Sequence, residues 1–311
     1  MKLKILFVLI ALSLSALKAQ QASLSAQYDA IAGIYNPAYN GVNTYLKVDA
    51  ISRLQWAGMP GAPRYTGLNL QTPVSRDFAI GANFQSLQVG NFKYVSPLSM
   101  NQFAGDIAYH KQLSKNVNVS VGLRLGIFNF NLQVSRLIAD NPEDIALAGN
   151  DYNINTPIVG GGTMMYGKNY FLGFSMPQMA IVTDNILNNV NLGYNARPFY
   201  LFSAGYIYPF KNQFSLKTTV QSRFYKGLAV QSSFNIYGVY KDAFMVGYGY
   251  RTSGAHCILA NVKVNDYFKI LYAFEMGSIY SKNITYTSNE FGLTYAFNQP
   301  KQRTIIVPRL Y

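Results

Sequence analysis

Apolar and polar positions alternate with a period of two along most of this chain. Between residues 116 and 128, Val117, Val119, Val121, Leu123, Leu125 and Ile127 fall on one face, and Asn118, Ser120, Gly122, Arg124 and Gly126 on the other. Successive side chains of a strand point to opposite faces, so this pattern predicts a strand with one apolar face and one small or polar face. Segments 214–221, 244–251, 268–275 and 290–297 read the same way. Less regular alternation covers 45–55, 64–72, 78–88, 100–112, 156–166, 169–176, 197–208, 227–240 and 255–264, giving 14 expected strands. Segments of about 10 residues cross a bilayer when tilted, and an even count suits a bacterial single-chain outer-membrane barrel. The fold class expected is therefore all-β: a transmembrane β-barrel of about 14 antiparallel strands over residues 45–298.

The breaks between strands fall into two kinds. Those at 111–116, 209–212, 226–227 and 241–242 read as tight hairpins, whereas 132–155 and 177–196 read as surface excursions. Outer-membrane barrels have short periplasmic turns and longer external loops. The two long breaks follow the fifth and seventh strands, so they leave the same end of the sheet and are the expected external contact surface. Residues 20–44 precede the first strand without regular alternation, and are expected either to plug the lumen or to meet a periplasmic partner.

Composition sharpens this picture. Charged residues make up only 13% of the chain and aromatic residues 15%, with 25 Tyr and 20 Phe. A soluble β-sandwich would also alternate, but its exterior would carry more Lys and Glu. Tyr200, Tyr206, Tyr208, Tyr248 and Tyr250 sit near strand ends, as interfacial girdles require. Lys2 and Lys4 precede an apolar stretch from Ile5 to Leu17, which is the pattern of an export signal over residues 1–19. Ala19 supplies the small residue at the expected cleavage point, although Leu17 is larger than the norm two positions before it. Downstream there is no apolar run of about 18 residues to form a spanning helix. Closed barrels and helices are the structures that satisfy their backbone in lipid, which leaves the barrel.

The formal net charge is +13, falling to +10 if residues 1–19 are removed. Export makes nucleic acid a poor partner for it. Anionic headgroups or an acidic protein account for it more simply.

Four local signatures then converge: Asn36-Pro37-Ala38 followed by Gly41; Arg53-Leu54-Gln55-Trp56; Gly61-Ala62-Pro63; and a glycine-rich strand opening at Phe78-Ala79-Ile80-Gly81. In this order, after a signal peptide, they resemble the PorP/SprF family, outer-membrane proteins of the type IX secretion system of the Bacteroidetes. The resemblance is most specific between Asn36 and Gly90. It departs at Ser86-Leu87-Gln88-Val89-Gly90, where the family often has an acidic residue, and in the tail 299–311. It implies a non-enzymatic role without cofactor in the outer membrane of a Gram-negative bacterium. The implied partners are outer-membrane lipid, a secreted adhesin with a type IX C-terminal domain, and periplasmic components of the machine. Gliding motility is the associated activity in some members. A passive channel or a transporter of hydrophobic solutes is the alternative.

The motif residues also have plain readings. Asn36-Pro37 favours a turn, because Pro fixes φ and restricts the residue before it, and Gly41 supplies a φ > 0 position. Arg53 and Gln55 share a strand face with Asp49, which suggests a lumen Arg–Asp pair. Trp56 closes that strand, where an indole suits the membrane interface. His110 and Asp106 share a face and are expected as a lumen hydrogen-bond pair. Catalysis and metal binding find little support: Asp140, Glu143 and Asp144 lack calcium-loop spacing, and Gly160-Gly161-Gly162 before Thr163 lacks the Lys of a phosphate loop. The glycines read as room for close packing.

Overall fold

The computed structural model describes residues 25–43, 45–90, 96–136, 151–178, 198–210, 213–279 and 284–297. The expected signal 1–19, the acidic residues 140, 143 and 144 and the tail 299–311 lie outside these.

Fourteen strands close into one antiparallel barrel, each paired with its sequence neighbours and the first with the last. They are β1 (Lys47–Leu54), β2 (Arg64–Pro73), β3 (Phe78–Val89), β4 (Leu98–Ser114), β5 (Val117–Leu132), β6 (Tyr152–Tyr166), β7 (Tyr170–Met176), β8 (Phe199–Pro209), β9 (Phe214–Tyr225), β10 (Gln231–Tyr240), β11 (Phe244–Arg251), β12 (Ala255–Lys263), β13 (Phe268–Ile279) and β14 (Ile284–Ala296). Closure leaves no sheet edge around the ring, the condition for a sheet to stand in hydrocarbon.

The alternation read from the sequence is the division between outside and inside. On β5, Val121, Leu123, Leu125 and Ile127 are 52–66% exposed and point outward, whereas Asn118, Ser120 and Arg124 are buried inward. At one end, outward rings form a belt in which Phe78 packs on Tyr109, Tyr208 on Phe210, Phe214 on Tyr240 and Tyr295 on Phe297. At this end all six connections between strands are two to four residues long, while β5 and β7 end, at Leu132 and Met176, at the opposite end, where β6 and β8 begin at Tyr152 and Phe199. Loop length makes the first end periplasmic and the second external.

Several strands run further than expected. β5 continues past Phe128 to Leu132, and β6 begins at Tyr152. Here the phase of the pattern reverses. The outward row Phe84–Phe103–Ile127–Pro157 is followed by Ser86–Asn101–Asn129–Asn155 and then Gln88–Ser99–Asn131–Asn153. The inward rows become Leu87–Met100–Phe130–Ile154 and Val89–Leu98–Leu132–Tyr152. Asn129 Nδ2 donates to Asn153 Oδ1 (2.7 Å) and Asn155 Oδ1 (2.9 Å), and Ser86 Oγ donates to Asn101 Oδ1 (2.7 Å). An outward face of linked amides belongs in water, so on this wall the hydrocarbon ends between the Phe103 row and the Asn101 row.

By contrast β10 starts at Gln231 rather than near residue 227, because Gly227 sits at φ +79° in the hairpin. That conformation is one glycine adopts freely and a strand does not use.

Candidate functional site

Residues 25–43 lie inside the barrel. They run from the level of Glu290, in the external half, to that of Ala79 and His110 at the periplasmic end. Two short elements are present: α1 (Ala32–Tyr35) and a 3-10 turn (Pro37–Tyr39). Tyr28, Ile31, Ile34, Ala38 and Tyr39 are all at most 4% exposed. Backbone so short of internal hydrogen bonds needs partners elsewhere when buried, and the lumen face supplies them.

Glu290 on β14 takes the first turn: its carboxylate accepts from Ser25 Oγ (2.6 Å), Ala26 N–H (3.0 Å) and Gln27 N–H (2.8 Å). Asn235 Nδ2 on β10 donates to Ala26 O (3.0 Å). Asp29 meets Lys217 Nζ on β9 (2.5 Å) and accepts from Tyr237 Oη on β10 (3.2 Å). At the C-terminal end of α1, Arg124 on β5 donates to Ile34 O (2.6 Å) and Gly33 O (2.7 Å), and Ser175 Oγ on β7 donates to Tyr35 O (2.8 Å). A guanidinium presents several donors in one plane, so Arg124 also grips Asp106 through Nε (2.7 Å) and Nη2 (2.8 Å).

The Asn36–Gly41 motif forms the lower half of this insertion. Asn36 caps the 3-10 turn, accepting from Ala38 N–H (2.9 Å), and its Nδ2 donates to Thr163 O (3.1 Å). Pro37 sits at the first position of that turn, where its missing N–H costs nothing. Ser120 Oγ donates to Ala38 O (2.8 Å). Gly41 has φ +87° and donates its N–H to Gln71 Oε1 (3.1 Å). The wall thins to match: a β-carbon on Gly122 would lie 2.3 Å from Ala38 N, and one on Gly162 2.1 Å from Asn36 Oδ1. Of the three glycines read as room for packing, Gly162 faces the inserted segment, whereas a β-carbon on Gly160 would lie 2.2 Å from Pro177 O.

The second half of the motif is elsewhere, at the external end of β1. Gln55 donates its N–H to Pro63 O (2.9 Å), and Gly61 (φ +73°) accepts from Gly90 N–H (2.9 Å). Trp56 is half-buried, at φ +56°; its N–H donates to Ser288 Oγ (3.2 Å) and its ring meets Tyr286 edge-on at 6.0 Å. Arg53 joins the two halves. It is 2% exposed and bonds Glu275 (2.6 Å) and Glu290 (3.5 Å), the residue that holds Ser25–Gln27. Arg251 adds a contact to Glu275 (3.1 Å).

Two expected pairs are corrected. Asp49 does not pair with Arg53: it meets Lys47 (3.0 Å) and accepts from Thr294 Oγ1 (2.7 Å). Asp106 does not pair with His110: it takes Arg124 and Asn40, while His110 bonds Tyr166 Oη (3.0 Å) and Asn40 O (2.7 Å). Four residues along a strand span about 13 Å, beyond side-chain contact, whereas opposite residues on neighbouring strands lie about 5 Å apart. Arg53 faces Glu290 in register, and Asp106 faces Arg124.

Beside the insertion, among the described residues, lies a cavity of about 10 Å³ lined by residues including Tyr28, Tyr35, Asn36, Phe171 and Gln221. That is about the room one water needs. Above it, Phe128, Phe130, Leu132 and Ile158 on the inner face of β5 and β6, with Val134 just past the end of β5, form a buried apolar cluster. At its rim Asp151 accepts from Ser135 N–H (3.0 Å) and Oγ (2.9 Å), and these bonds hold its carboxyl below the usual range.

Among solved structures, the chain is similar to the toluene transporter TodX of Pseudomonas putida. The TM-score is 0.52 at 9% identity, covering 90% of this chain and 99% of that one. It is similar as well to a FadL homologue of Pseudomonas aeruginosa, with a TM-score of 0.50 at 8% identity over 86% and 94% of the two chains. Identities this low carry the barrel fold alone. No curated protein matches the sequence. The family model described as type IX secretion system membrane protein PorP/SprF matches residues 17–297, so this outer-membrane barrel belongs to that family.

Proposed function

We propose that this barrel is a docking platform of the type IX secretion system, supporting secretion or surface anchoring of adhesin-type proteins, including those used in gliding motility. The observation that carries this reading is the occupied lumen. Residues 25–43 are bonded to inward-facing groups of strands on every side of the ring, and the cavity beside them is of the size of one water. A filled lumen favours binding at the mouths over conduction, and the segment acts as its plug. Binding needs no covalent step and no cofactor. Residues of the external β1–β2 connection, Gln55, Trp56, Gly61 and Pro63, then serve the secreted partner, while the Asn36–Gly41 turn keeps the plug seated toward the periplasmic machinery. The test is retention of a secreted C-terminal domain by the detergent-solubilised barrel. Retention that weakens when Trp56 is replaced by Ala supports the reading, and no retention by the intact barrel overturns it.

One observation favours a second reading, a channel for hydrophobic solutes. The inner face of the external wall is apolar at Leu98, Met100, Phe128, Phe130, Leu132 and Ile154, and TodX, of similar fold, is a toluene transporter. Saturable binding of toluene, lost in Phe130→Asn, would move the assignment to this reading.

A further inference from the structure

The structure divides the positive charge that the sequence leaves undivided. At the periplasmic end, Arg76, Lys111, Lys115, Lys168 and Lys241 are exposed and Lys263 is partly so, against Asp77, Asp242 and Asp266. Three of the turns carry their own countercharge. Arg76 is followed by Asp77, Lys241 by Asp242, and Lys263 Nζ lies 2.7 Å from Asp266 Oδ1. The β4–β5 and β6–β7 turns differ: Lys115 and Lys168 are exposed there, Lys111 is exposed near the end of β4, and neither turn holds an acid.

These two turns touch. Tyr170 Oη, at the start of β7, donates to Asn116 O (3.4 Å), and a β-carbon on Gly167 would lie 2.7 Å from that same oxygen. The three lysines therefore belong to one sector of the rim. Lys111 shares the outward face of β4 with Tyr109, and Tyr206 and Tyr208 are 49% and 53% exposed on β8, beyond Tyr170. Tyrosines on the outer face lie at headgroup level. Lysines just beyond them, on the water side, meet headgroup phosphates with their stems along the apolar surface.

We propose that Lys111, Lys115 and Lys168 form a binding site for an anionic phospholipid headgroup of the periplasmic leaflet. Charge complementarity selects this occupant. An ammonium is a compact point charge suited to phosphate, three exposed ones stand at the end of β4 and on two touching turns that hold no acid, and the flanking tyrosines fix the sector against lipid. The self-neutralised turns lack that net attraction. The proposal depends on which end faces the periplasm and is independent of the docking reading.

Native mass spectrometry of the full-length barrel, released from phosphatidylethanolamine vesicles with a minor share of phosphatidylglycerol, tests it. The unmodified barrel should keep phosphatidylglycerol preferentially. The Lys111→Gln, Lys115→Gln, Lys168→Gln variant, with its strand circular dichroism intact, should lose roughly fivefold in that preference for each lysine removed. Lys241→Gln with Lys263→Gln should keep it. Equal loss in both variants would reduce the effect to diffuse charge and overturn the site. So would an unmodified barrel that shows no preference, or a sector that takes an acidic protein in place of lipid.

Discussion

At Gly122 the barrel wall has no space for a β-carbon, because Ala38 N and Pro37 C would lie 2.3 and 2.4 Å from it. Both are backbone atoms and cannot swing aside. Gly122→Ala should therefore cost about 1–3 kcal/mol through displacement of the inserted turn. Gly105→Ala, on a strand position with nothing within 4 Å, should be nearly neutral. Denaturant midpoints of the two variants in vesicles check the contrast, and equal midpoints would refute the packing account. Glu290 is the corresponding electrostatic position. Glu290→Gln weakens its hold on Ser25–Gln27 and leaves Arg53 with Glu275 as its carboxylate partner. Breaking a buried pair by removing one partner costs about 3–5 kcal/mol. The neutral amide retains one acceptor oxygen, so the loss should fall below that range. Faster proteolysis of the N-terminal segment, with the barrel itself resistant, would register it.

The strands were legible in the sequence wherever one side met lipid, because hydrocarbon outside and packed polar groups inside impose opposite demands on successive residues. Asn116 to Phe128 shows this directly. Legibility stopped at Phe128 because the solvent changes there. Beyond it Phe130 and Leu132 face inward while Asn129 and Asn131 face out, and a reader following the earlier phase sees a loop. Tyr152-Asn153-Ile154-Asn155 reads as part of the break for the same reason. The boundary can be measured. A cysteine at Asn129 should react with a membrane-impermeant maleimide in intact vesicles, and one at Ile127, two residues along on the same outward face, should be protected by lipid. Cys257 is buried and stays silent in both. The lumen pairs were not legible, because Arg53–Glu290 and Asp106–Arg124 depend on register between strands that one-dimensional spacing does not contain.

For the whole molecule, the question is what the inserted segment prevents. Its carbonyls are bonded to Arg124, Ser120, Ser175 and Asn235, and its one acid, Asp29, neutralises Lys217. With it in place, the segment is bonded across the lumen to its wall, and the intact protein should give no steady current across a planar bilayer. Deleting residues 25–43 leaves a ring still closed by its fourteen ladders, with Lys217 stripped of Asp29 and the wall charges open to water. Among the described residues, Lys47, Arg53, Arg124, Lys217, Arg223, Arg251 and Lys269 are on the inner face, against Asp49, Asp106, Glu275 and Glu290. Bases outnumber acids, so the deleted barrel should conduct and should prefer anions, with the preference fading at high salt as screening shortens the reach of the fixed charges. Reversal potentials under a salt gradient read both outcomes. An intact barrel that conducts as freely as the deleted one would mean the segment is no plug, and the solute-channel reading would then stand in place of docking.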